Sequence, residues 1–135
     1  MELRVWEHYN AKIGNAPIYG YTFDAEMPGD NAGAFHSSDL WFVFETLAKC
    51  WRPFKAKHYD LARQMCNYWT NFAKTGDPNG PDADGKPMPR WEPYTLEKPF
   101  EMYFGDTAHM RDEQNPVIRF LIDYAIEWHT KRSAQ

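Results

Sequence analysis

Pro17-Ile18-Tyr19-Gly20-Tyr21-Thr22-Phe23 is a short, almost wholly apolar run rich in β-formers, and after a turn-rich loop it leads into Gly33-Ala34-Phe35-His36-Ser37-Ser38-Asp39-Leu40. Bounded by Pro17 and Asp24, the run reads as a strand buried on both faces, the pattern of an α/β sheet. Gly20 in its middle predicts a close approach by another element. The loop Met27-Pro28-Gly29-Asp30-Asn31-Ala32-Gly33 is dense in turn residues. Beyond it, Leu40, Val43, Phe44 and Leu47 follow i, i+3, i+4, i+7 spacing, which predicts a helix with Ser38 or Asp39 as N-cap. The order is strand, loop, histidine, helix.

Outward from this segment the pattern stays mixed. Leu3, Trp6, Tyr9 and Ile13 predict a first helix, with Gly14 placed for a left-handed C-terminal cap. Leu61, Met65, Trp69 and Phe72, with Tyr68 beside them, form the stripe of a longer helix from about Ala56 to Lys74. Thr75-Gly76-Asp77-Pro78 stops it. Asn79 to Pro93, holding Pro81, Pro87, Pro89 and Pro93, reads as a surface loop. Phe100 to Phe104 is a candidate strand. Asn115-Pro116 starts a last helix with the stripe Val117, Phe120, Leu121, Tyr124 and Trp128. The expectation is about two strands and four helices, without repeats or dividing linkers.

With 135 residues the chain fits one domain. Its 15 basic and 19 acidic residues give a net charge of −4 without long runs, so no basic stripe marks a nucleic-acid partner. A mean hydropathy of −0.74 and no apolar run near the length of a membrane span argue against a transmembrane helix. Met1-Glu2-Leu3-Arg4 shows no leader pattern. Six Trp, eight Tyr and nine Phe are many for so small a domain. Aromatics dominate cores and interfaces, so the chain either lines a site with them or packs them against something else.

Chemistry is sparsely signalled. The five histidines include no pair one helical turn apart, and there is no HExxH or Cys-x-x-Cys, so no metal site is expected. Cys66, mid-helix beside Met65, reads as a small apolar side chain. Asp82, Asp84 and Gly85 begin a calcium-loop spacing that no acidic residue completes. No Gly-rich phosphate loop and no G-x-S-x-G nucleophile elbow occurs. His36 stands out by position, because reacting groups in open α/β sheets collect at the carboxyl ends of strands. By itself it reads as a polar loop histidine hydrogen-bonded to its neighbours.

The run Gly33-Ala34-Phe35-His36-Ser37-Ser38-Asp39-Leu40, with Phe42-Val43-Phe44, resembles the catalytic-histidine segment of the type-B carboxylesterases. These are the cholinesterase-like α/β-hydrolases, among them the bacterial p-nitrobenzyl esterases. Ile18 to Asp24 resembles the strand before that histidine, and Tyr68-Trp69-Thr70-Asn71-Phe72-Ala73-Lys74-Thr75-Gly76-Asp77-Pro78-Asn79 the family's C-terminal helix and turn. Trp91-Glu92-Pro93-Tyr94 and Met102-Tyr103-Phe104-Gly105-Asp106 resemble its Trp-containing loop and last strand. Five pieces stand in the family's order.

The resemblance implies that residues 1–135 are the C-terminal fragment of an α/β-hydrolase domain, with an incomplete α/β fold. His36 is the implied catalytic residue, the general base and acid of a Ser-Glu/Asp-His triad whose serine and carboxylate lie elsewhere. Phe35, Trp41 and Phe42 are implied candidates for lining the substrate pocket. A small ester is the implied substrate, the N-terminal part of the same hydrolase domain the implied partner, and no cofactor is implied. Alone, the chain should be inactive and self-associate through its strand edge or aromatic patches. A cholinesterase-like binding or adhesion module that has lost the serine is the other class the resemblance allows. Asp39 stands where the family usually has Glu, and Ser37-Ser38 replaces a small pair that often begins with Gly.

Overall fold

The computed structural model describes residues 2–14, 16–112 and 115–133. Its elements run α1 (Glu2–Ile13), β1 (Tyr21–Phe23), α2 (Leu40–Val43), a 3-10 turn (Leu47–Lys49), α3 (Ala56–Thr75), β2 (Phe100–Phe104), β3 (Ala108–Asp112) and α4 (Pro116–Ser133). They fall into two compact units. One holds residues 1–20, 92–101 and 111–135, and the other residues 21–91 and 102–110.

The sheet order is β1-β2-β3. β1 runs parallel to β2, with Tyr21 opposite Met102, Thr22 opposite Tyr103 and Phe23 opposite Phe104. Asp24 N–H extends the ladder to the Phe104 carbonyl at 2.8 Å. Among the described residues β1 has no neighbour on its other side, so it is an edge strand.

Two expectations are corrected in the sheet. The strand begins at Tyr21, because the Ile18 carbonyl accepts the Tyr94 N–H (2.7 Å), a bond outside the ladder. β3 was not foreseen: Ala-His-Met-Arg-Asp carries little β signal, and only the short turn after Phe104 returns the chain alongside β2.

α2 is a single turn where the periodicity predicts a helix reaching Leu47. Glu45 adopts a left-handed φ of +49°. Its N–H bonds the Phe42 carbonyl (3.1 Å), and the Thr46 N–H bonds the Trp41 carbonyl (2.9 Å), the pair of contacts of a Schellman stop. Leu47 still reaches the core, 1% exposed, by way of the 3-10 turn.

α3 behaves as predicted at both ends. The His58 Nδ1 accepts the Lys55 N–H (2.8 Å), half of a capping box. Gly76 closes the helix at φ +76°, a region glycine enters without steric cost, and donates to the Phe72 carbonyl at 2.8 Å. The buried stripe is Leu61, Ala62, Met65 and Tyr68, whereas Phe72 is exposed. Trp69 lies at its margin in an aromatic cluster with Tyr21 (5.0 Å between ring centroids), Trp91 (5.7 Å) and Phe104 (6.0 Å). Such pairs contribute about 0.5–1.5 kcal/mol each beyond the area they bury. Trp91 enters this core from the proline-rich loop, its backbone clamped at both polar groups by the Asn79 amide (2.7 and 2.8 Å).

The other unit is built differently. α1 packs on α4, yet Leu3, Trp6, Tyr9 and Ile13 are exposed on α1, and Val117, Phe120, Tyr124 and Trp128 on α4. The buried side of α1 is polar: Glu7 is 1% exposed and pairs with Arg4, which also pairs with the buried Glu101. Gly20 lies against Glu7, where a Cβ would fall 2.2 Å from a carboxylate oxygen. The close approach expected at Gly20 is there. Burial raises the Glu7 carboxyl above its ordinary range, with Arg4 pulling it down and Glu101 pushing it up.

Candidate active site

β1 ends at Phe23 and the chain continues irregularly to Leu40, so the position of His36 depends on what anchors this loop. Arg52 anchors the first half. Its Nη1 and Nη2 donate to the two Asp30 carboxylate oxygens (2.7 and 3.0 Å), and Nη1 donates also to the Pro28 carbonyl (3.1 Å). These bonds hold the Asp30 carboxyl below its usual range. The guanidinium lies over Trp51 (4.8 Å) and Phe35 (5.2 Å), which carries the anchor to the residue before His36.

The second half is fixed from inside. Ser38 is fully buried, and its Oγ donates to the Phe35 carbonyl (2.6 Å), as does its N–H (3.0 Å). Asp39 occupies the N-cap position of α2 without capping it. Its carboxylate accepts the Tyr21 hydroxyl at 2.8 Å instead, tying the end of the loop back to β1. Burial first, and then Asp39, push the Tyr21 hydroxyl above its ordinary value, so it remains a donor throughout the neutral range.

Between these anchors His36 is exposed. Its Nδ1 lies 2.8 Å from the Ser37 Oγ, and Nε2 carries no hydrogen bond among the described residues. Ser37 has φ +67°, a left-handed conformation that non-glycine residues seldom adopt. An imidazole held at one nitrogen and open at the other can transfer protons at the open one.

The three predicted lining residues take different places. Phe35 is partly exposed and meets Trp41 edge to face at 5.8 Å. Phe42 is 0% exposed, among Phe23 (5.0 Å), Phe54 (5.8 Å) and His58 (6.5 Å), so it supports the loop from the core. A cleft of about 420 Å3 is lined by Tyr68, Asp82, Lys86 and Arg90, and one of about 290 Å3 in the other unit by Arg4, His8, Tyr94 and Arg119; His36 lies in neither. The Asp82 carboxylate, candidate start of a calcium loop, is taken by Arg63, by the Asn67 amide (3.2 Å) and by the N–H groups of Asp84 (2.7 Å) and Lys86 (3.3 Å). Cys66 is partly exposed rather than buried, and burial raises its thiol above the ordinary value.

Sequence reading missed Tyr21 and Arg52 as anchors. Both act across 18 or more residues of chain, a distance at which no periodicity or spacing rule operates.

A parallel strand pair whose edge strand opens into a loop, followed by helices, is part of an α/β-hydrolase fold. The fold agrees with a thermophilic PNB esterase, at TM-score 0.69 and 22% identity over 87% of this chain and 24% of that one. It agrees also with the Geobacillus stearothermophilus carboxylesterase, at TM-score 0.63 and 31% identity over 84% of this chain and 23% of that one. Residues 4–120 match the carboxylesterase family, and the chain belongs to it. Human bile salt-activated lipase is 36% identical over 90 residues, 65% of this chain and 12% of the lipase. The chain therefore spans less than a quarter of the length of these relatives.

Proposed function

We propose that the chain is the histidine-bearing, C-terminal part of a serine carboxylesterase that hydrolyses small carboxylic esters. The observation that carries this reading is the exposed imidazole of His36, held at Nδ1 and open at Nε2, on a loop otherwise anchored at both ends. Nε2 takes the proton of a serine hydroxyl as that oxygen attacks the ester carbonyl, then delivers it to the departing alcohol. A second cycle with water frees the acid. A Glu or Asp carboxylate from elsewhere in the domain approaches Nδ1 and stabilises the imidazolium. Phe35, next to the histidine in sequence, and Trp41, its edge-to-face neighbour at 5.8 Å, line the ester pocket, with Phe42 buried in the core. The chain alone has no elbow serine and is inert.

The rest of the same hydrolase domain is the partner this reading supplies. The outward aromatic stripes of α1 and α4 and the open edge of β1 are the surfaces it covers. Exposed apolar area of this extent marks an interface. By itself the chain self-associates through the same surfaces, and sedimentation showing a clean monomer at high concentration would sink that part of the account.

A fluorophosphonate probe tests the catalytic reading on the complete protein. A serine activated by His36 becomes covalently labelled, and His36→Gln abolishes the labelling. An intact, folded protein that takes no label overturns the reading in favour of a binding module.

A further inference from the structure

The bond between Ser37 and His36 is not explained by the needs of the fold. Ser37 is exposed and sits at φ +67°, where glycine would be easier to accommodate. The loop is already fixed around Ser37 by Ser38, whose Oγ and N–H both reach back to the Phe35 carbonyl, and beyond it by the Tyr21–Asp39 bond. What the serine adds over a glycine is one hydroxyl, and that hydroxyl lies 2.8 Å from His36 Nδ1.

We infer that Ser37 is a positioning residue for His36: its Oγ accepts the Nδ1–H and so holds the imidazole in the tautomer whose Nε2 lone pair is free. The inference rests on the reading of His36 as the proton-transfer group. That role requires a proton on Nδ1 and a bare Nε2 before the serine is attacked. A free imidazole can place its proton on either nitrogen, and the choice is set by the bond the other nitrogen makes. A hydroxyl next in sequence, with its own O–H turned to solvent, gives the Nδ1 proton a local acceptor before any carboxylate from another part of the domain arrives. Ser37 then hydrogen-bonds through its own O–H to water, since one hydroxyl both donates and accepts. The left-handed backbone at Ser37 accompanies a side chain turned back toward the preceding residue. The carboxylate and the hydroxyl can share the same N–H, as in a three-centre bond.

Two substitutions separate the hydroxyl from the backbone. Ser37→Gly removes the hydroxyl and relieves the left-handed conformation, and Ser37→Ala removes the hydroxyl and leaves the strain. Nitrogen-15 NMR of the His36 ring in the chain itself, above the pH at which the ring is protonated, reads the tautomer balance directly. Both variants are expected to shift the balance from Nδ1–H toward Nε2–H by a similar amount, while their melting temperatures move in opposite directions. No shift in either variant, or a shift in Ser37→Gly alone, overturns the inference. Such a result leaves the catalytic reading of His36 standing, because that reading is tested by serine labelling and not by the tautomer in the isolated chain.

Discussion

Replacing Tyr21 with Phe removes one oxygen and leaves the ring where it is. The edge contacts with Trp69 (5.0 Å), Phe104 (5.8 Å) and Trp91 (6.2 Å) survive. What disappears is the bond from the hydroxyl to the Asp39 carboxylate, 2.8 Å long and partly buried. Hydrogen bonds to charged acceptors contribute about 1.5–3 kcal/mol. Asp39 is partly exposed, so water can take the freed oxygen, which puts the loss at the lower end, about 1.5 kcal/mol. With a urea slope of about 2 kcal/mol/M, the unfolding midpoint drops by roughly 0.7 M with the slope unchanged. Asp39→Asn should cost a similar amount. The double variant should cost much less than the two singles together, since each removes the same bond. Urea titration at neutral pH and low protein concentration measures all four chains. A Tyr21→Phe midpoint within about 0.2 M of the parent, or fully additive losses, would refute the claim that this bond ties the histidine loop to β1.

Arg4→Met takes the paired guanidinium from the buried Glu7 and Glu101, leaving Arg111 at 3.7 Å from Glu101, and stripping the partner from buried carboxylates costs about 3–5 kcal/mol. The Glu7 carboxyl is already raised by burial and Arg4 is what pulls it down, so in Arg4→Met it takes up a proton more readily, and the loss measured by denaturation should be smaller at pH 5 than at pH 7.5. The His58 imidazole is buried, and desolvation first and Lys57 second lower it below its ordinary 6.5. The unfolded chain therefore binds a proton before the folded chain does, and stability should fall as pH drops below about 6.5. His58→Gln should flatten that part of the stability profile, and an unchanged slope would show that another group sets it.

Legibility in the sequence followed the range of the physics. α1, α3, β2 and α4 rest on local periodicity, caps and stop signals, and those signals lie within the elements themselves. Leu40, Val43, Phe44 and Leu47 carried a helical period, but the chain obeyed Glu45, whose left-handed turn no propensity flags. The stripes of α1 and α4 were visible as stripes, while their facing was not: a hydrophobic period does not say whether its partner is in the same chain. His36 stands out in the sequence through its order after a strand and through family resemblance. Its anchors were not, since Tyr21–Asp39 and Arg52–Asp30 are tertiary contacts between residues with no sequence relation.

The central claim is that His36 moves the proton in ester hydrolysis, and initial rates on a p-nitrophenyl ester test it most directly. In the complete esterase His36→Ala should lower kcat/KM by on the order of 10^4 to 10^6, in an enzyme whose cooperative thermal unfolding shows that it is folded. A folded His36→Ala enzyme retaining activity to within about tenfold would contradict the account, because a triad histidine cannot be removed so cheaply.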